Sequence, residues 1–134
     1  MATEAVSANA SIASTGRTLR SVGSFIYGYS GAVDCDNTET DLINSNSGTG
    51  VIYAEIFFDY LESAGTEDFL FRVYLNDLLI YAYTKDQATD ASPGNWFPKL
   101  IVPPFSHLKI TAQNITDTTP REMAVGVTGR VYGV

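Results

Sequence analysis

Four carboxylates fall within one short stretch, Asp34, Asp36, Glu39 and Asp41 in DCDNTETD, and a cluster of this kind offers the hard oxygen ligands that calcium takes. The spacing departs from an EF-hand loop, which needs glycine at its sixth position, where Glu39 stands. A solvated acidic loop is therefore the expectation. Glu55, Asp59 and Glu62 form a second group, and paired carboxylates are what glycoside hydrolysis uses. Strand alternation sets Glu55 and Asp59 on one outward face, but the chain has no insertion long enough to wall a cleft. Cys35 sits between two aspartates, whose charge disfavours the thiolate. His107 is the single histidine, and no Gly-x-Ser-x-Gly elbow accompanies it. No phosphate-cradling glycine loop is present. The expectation is a noncatalytic protein with no cofactor and no bound metal.

Composition narrows the partners. Eight Lys and Arg against fifteen Asp and Glu give a net charge of −7, so neither a nucleic acid nor an anionic membrane is expected as a partner, since both need clustered cations. One cysteine rules out an internal disulfide. Charged residues make up 17 % of the chain, below the ~25 % usual for globular domains, a deficit expected where neighbouring subunits cover part of the exterior. The N-terminus shows no basic start followed by an apolar run, and no stretch approaches ~18 apolar residues, so a soluble, unprocessed chain synthesised in a cytoplasm is expected. The sequons at Asn9 and Asn114 are then chance matches.

These side chains must be positioned by strands. Residues 1–16, MATEAVSANASIASTG, are nearly all small or polar and bury too little to fold alone. They read as an extended N-terminal arm, with Val6 and Ile12 as its apolar contacts for a partner. From residue 17 to 134 the pattern is β. VIYAEIFFDYLE sends Ile52, Ala54, Ile56, Phe58 and Tyr60 to the core and leaves a mixed outer face. FLFRVYLNDLLIYAYT predicts a hairpin turning at Asn76-Asp77, both tolerant of positive φ. Simple alternation pairs Leu75 with Leu78, Val73 with Ile80 and Phe71 with Ala82. Phe69, Phe71, Val73, Leu75, Leu78 and Ile80 then face inward, while Leu70, Arg72, Tyr74, Leu79, Tyr81 and Tyr83 form an outer face too apolar for water and suited to an oligomer interface. Prolines at 98, 103 and 104 mark an edge strand. HLKITAQN alternates, and the segment from Met123 onward sends Met123, Val125, Val127 and Val131 to one face.

About eight strands with no convincing helix predict an all-β antiparallel sandwich of the jelly-roll type, because an immunoglobulin-like sandwich would use a disulfide and a core tryptophan that are missing here. Trp96 lies instead in a Gly/Pro-rich loop, where it could serve as a sugar-stacking platform if the chain were a carbohydrate-binding module.

The segments FRVYLNDLLIYAYT, LIVPPFSHLKITAQN and AVGVTGRVYGV resemble the small jelly-roll decoration, or cement, proteins of tailed bacteriophages. The resemblance spans roughly residues 50–134. It implies a homotrimer on the capsid exterior that clamps the major capsid protein or another virion protein with an extension, here the arm.

Overall fold

Alternation of apolar and polar residues over VIYAEIFFDY makes a long strand whose every second side chain enters the core, and the computed structural model shows Ile52, Ala54, Ile56 and Tyr60 buried with Phe58 packed against them. Residues 17–61, 66–86 and 98–133 are described; the arm with Val6 and Ile12, and the loop with Trp96, lie outside the described residues. Among the described residues ten strands occur: β1 (Arg20–Val22), β2 (Phe25–Tyr29), β3 (Val33–Cys35), β4 (Thr40–Asn46), β5 (Val51–Tyr60), β6 (Asp68–Leu75), β7 (Leu78–Asp86), β8 (Lys99–Val102), β9 (His107–Asn114) and β10 (Arg121–Tyr132).

Two antiparallel sheets form. One has the order β1-β2-β10-β5-β8, with β3 also pairing β10, and the other has the order β4-β9-β6-β7. With β1 set aside as an edge strand on β2, and β2 and β3 taken as one interrupted strand, first pairs with last and the pairing nests inward: β2/β3 with β10, β4 with β9, β5 with β8, β6 with β7. A long hairpin wrapped on itself across two sheets is a jelly roll. The expected sandwich is present.

Between the sheets, Phe69, Phe71, Leu42, Ile43, Ile56, Leu108, Ile110, Met123, Val125 and Val127 are fully buried. Burial of a large aliphatic or aromatic side chain contributes ~1.5–3 kcal/mol each, so this layer dominates the fold's stability. One rim is closed by an ion pair, Arg121 Nε donating to Glu67 at 2.8 Å, with the Tyr60 hydroxyl donating to the same oxygen at 3.4 Å. Arg121 holds the Glu67 carboxyl below its ordinary range, while burial and the neighbouring carboxylate push Tyr60 up to about 12.

The hairpin turns where expected, with φ of 52° at Asn76 and 67° at Asp77. Its register does not run as simple alternation predicts. After Leu75↔Leu78 and Tyr74↔Leu79 a bulge shifts the pairing to Val73↔Tyr81 and Phe71↔Tyr83. Ile80 is the extra residue, so Ile80 and Tyr81, adjacent in sequence, both pack on the core. Tyr81 and Tyr83 therefore leave the outer face assigned to them: Tyr83 stacks on Phe58 at 5.4 Å, and the Tyr81 hydroxyl reaches the Lys99 carbonyl in the opposite sheet. Leu78, expected inside, is 67 % exposed at the hairpin tip.

Candidate functional site: an aromatic face on the six-stranded sheet

The outer surface of the β1-β2-β10-β5-β8 sheet is built from cross-strand rows. The registers align Val22, Phe25, Arg130, Tyr53 and Ile101 in one row. Arg20, Tyr27, Thr128, Glu55 and Lys99 form the next, and Tyr29, Gly126 and Phe57 the third. Tyr132 lies two residues beyond Arg130 on the same face, by alternation along β10. Neighbouring strands lie ~4.8 Å apart, so residues of one row touch across the sheet.

Six rings on this face stay open to water, from 37 % exposure at Phe57 to 55 % at Tyr29. Apart from Phe105, these are all the exposed Phe and Tyr among the described residues. At ~150–250 Å² per aromatic side chain, the open ring surface is on the order of 600 Å². That reaches the top of the ~300–600 Å² usual for the largest apolar patch of a monomer.

The face is organised rather than merely apolar. The Arg130 guanidinium lies 5.1 Å from the centre of Phe25 and 5.6 Å from that of Tyr132, and Tyr132 meets Tyr53 edge to face at 5.1 Å. Cation–π and aromatic pairs of this kind contribute ~0.5–1.5 kcal/mol each and hold the rings in fixed orientations. Lys99 and Glu55 form an exposed pair at 3.7 Å. Between the rows runs a shallow groove of about 640 Å³, lined by Phe25, Tyr27, Tyr53, Glu55, Arg130 and Tyr132 among others.

Two glycines in β10 make the surface possible. A Cβ at Gly126 would occupy the space of the Phe57 ring, which lies flat over the backbone there. At Gly129, on the inner side, a Cβ would overlap the Tyr53 carbonyl oxygen and the Ala54 Cα, so only glycine lets β10 and β5 approach this closely.

The opposite outer face carries the residues named from sequence, with a different outcome. Leu70, Arg72 and Tyr74 do lie on it, but Arg72 and Tyr74 belong to a polar network. Glu39 accepts from the Tyr74 hydroxyl at 2.7 Å and from Thr111 at 2.6 Å, and pairs with Arg72 at 3.4 Å. Arg72 also donates to Gln113 at 2.7 Å, Gln113 donates to the Asn37 carbonyl, and Lys109 lies over the Tyr74 ring. Burial pushes the Glu39 carboxyl up, but the Thr111 and Tyr74 donors and the charges of Arg72 and Lys109 outweigh it and hold the group below its usual range. Leu79 stays half-exposed near the tip. Arg72 and Tyr74 are thus partnered from within the chain and Tyr81 and Tyr83 pack inward, so this face is less apolar than simple alternation implies.

The other chemical candidates are dispersed. Asp36 caps the Thr38 N–H, Asp41 accepts from Asn44, and Asp34 stands opposite Glu122 on the six-stranded sheet. Among the described residues no three His, Cys, Asp or Glu side chains gather as a metal site. Cys35 is fully buried, and burial, followed by the charges of Asp34 and Asp36, pushes its thiol up to about 12. His107 bonds through Nε2 to Asn44. Asn114 is buried and spends its amide inside its own turn, donating to Asp117 and the Thr119 carbonyl and accepting from the Thr116 and Asp117 N–H groups. No glycan could be attached there without unfolding the turn.

No family model matches this chain, and neither does any curated protein or solved structure.

Proposed function

We propose that this chain is a noncatalytic virion structural protein of the capsid-decoration kind, which stabilises a shell by surface docking. The observation that carries this reading is the aromatic face: six open rings on one side of a sheet, two of them against Arg130, of a composition that protein interfaces enrich. The jelly-roll wrap and the resemblance of residues 50–134 to phage cement proteins support the same conclusion. In this reading the oligomer interface lies on the six-stranded sheet rather than on the β6–β7 hairpin, and the arm carries the contact with the shell. Arg17 gives the arm a point of departure. Its N–H donates to the Leu42 carbonyl at 3.0 Å and its carbonyl accepts from the Asn44 N–H at 2.9 Å, which fixes the chain against β4 just after residue 16. Several modest contacts per subunit, repeated over a shell, give strong retention without any single tight site.

Peptide mass spectrometry of purified virus particles from the source of this sequence is expected to find the chain in stoichiometric amounts, and removal of residues 2–16 to lower its retention. Absence from purified particles would overturn the assignment.

The groove favours a second reading, a carbohydrate-binding module. Tyr27, Tyr53 and Tyr132 would supply stacking surfaces in place of Trp96, with Glu55, Lys99 and Arg130 available for hydroxyl groups. A glycan-array screen of the wild type against Tyr53→Ala decides it: a ligand lost in the variant supports the module, and an empty array rejects it.

A further inference from the structure

Resting on the reading of this chain as a docking subunit, we infer that the occupant of the aromatic face is a second copy of the same chain, related by a two-fold axis. Charge is distributed unevenly along the face. Where β10 begins, Asp34 stands opposite Glu122, and Asp59 opposite Ala124. Toward its other end lie Arg20, Lys99 and Arg130, with Glu55 the one carboxylate among them. One end is acidic and the other mainly basic, on a protein of net charge −7.

A two-fold axis lying across the strands at the Gly126 row reverses β10 of one copy over β10 of the other. Position 122 then faces position 130, so Glu122 of each copy meets Arg130 of its mate, and position 124 faces 128, so Asp59 lies over the Glu55–Lys99 pair, whose lysine offsets the facing carboxylates. Tyr29 and Phe57, on the axial row, meet their own counterparts. Sheets stack face to face at ~10 Å, the thickness of two layers of interleaved side chains. A surface meeting itself about such an axis closes with two copies, in contrast to the trimer implied by the phage resemblance. Size agrees as well. The open rings, together with Val22, Ile101 and the polar residues between them, approach the ~800 Å² per partner of a standard interface.

Analytical ultracentrifugation of the purified full chain tests this without any other partner. The wild type is expected to sediment as a dimer at about 100 μM. Arg130→Glu is expected to weaken the dimer at least tenfold, and Glu122→Arg with Arg130→Glu to restore it by exchanging the charges. Ile101→Glu, on an exposed edge position, is expected to give a folded monomer and guards against Arg130→Glu acting through misfolding. A wild-type monomer, a threefold species, or a double variant as weak as the single one overturns the inference. So does a monomer that binds an oligosaccharide through Tyr53. Particle association is measured separately, so a monomer still found on purified particles refutes the two-fold pair alone, and a dimer absent from them refutes the virion role alone.

Discussion

The two outer faces of the sandwich contain similar residues and behave in opposite ways. On the four-stranded sheet, Arg72, Tyr74, Thr111 and Gln113 converge on Glu39 and Asn37, which approach from the β3–β4 connection, so each long side chain finds a partner within the chain. On the six-stranded sheet Arg130 packs on Phe25 and Tyr132, Tyr132 meets Tyr53, and about half of each ring faces water. One carboxylate placed above the sheet makes the difference. A tyrosine-rich face is closed when a loop delivers an acceptor to it, and open when the carboxylate in its rows, Glu55, pairs with the exposed Lys99 instead.

The largest expected effect lies beneath the open face. Gly129→Ala should lower stability by about 3 kcal/mol, because its Cβ meets backbone that has nowhere to move; thermal unfolding measures it, and an unchanged midpoint would mean that β10 and β5 can separate without cost. Second comes the closed face. Glu39→Ala should cost about 1 kcal/mol at neutral pH, the exposure of the carboxylate keeping the loss modest.

This second effect has a definite pH dependence. The folded-state affinity of Glu39 for a proton is depressed, so its contribution is complete above the ordinary glutamate range and is lost as pH falls through the lower folded value. The wild type should therefore destabilise more steeply than Glu39→Ala in acid, and parallel acid limbs would show that the network contributes nothing through charge. Third, Tyr53→Ser on the open face should lower stability by about 0.5 kcal/mol, the low end for its edge-to-face pair with Tyr132, while weakening any association measured for that face. A larger loss of stability would mean that the ring supports the fold rather than awaits a partner. The smallest signal is Cys35, whose buried thiol should resist a water-soluble disulfide reagent until the protein unfolds.

Much of the architecture can be read from pattern. The alternation of Val51–Tyr60, the Asn76-Asp77 turn and the proline-bounded edge strand each declare themselves within a few residues, because local backbone preference and one-sided burial act there together. The bulge in β7 escapes such reading. Ile80, Tyr81 and Tyr83 are all acceptable on either side of a strand, so nothing local says where alternation slips. The open face is invisible for another reason. Phe25, Tyr53, Ile101 and Arg130 stand far apart in sequence, and the outer side of β5 looks mixed until β10 and β8 flank it. A site made of rows perpendicular to the chain leaves no motif along it.

The position of β10 at the centre of its sheet also governs how the chain acquires its structure. It pairs with β2, β3 and β5, yet it is the last of these elements to be synthesised. Until then β2 and β5 are two unpaired edges with apolar inner sides, and the closing contacts span roughly a hundred residues, the kind of topology that folds slowly. A ribosome-bound chain halted before Arg121 should lack a protected six-stranded sheet, although every strand of the β4-β9-β6-β7 sheet has by then been made. Chaperone dependence during synthesis, and aggregation of fragments that lack β10, follow from the same geometry that later makes the finished domain rigid.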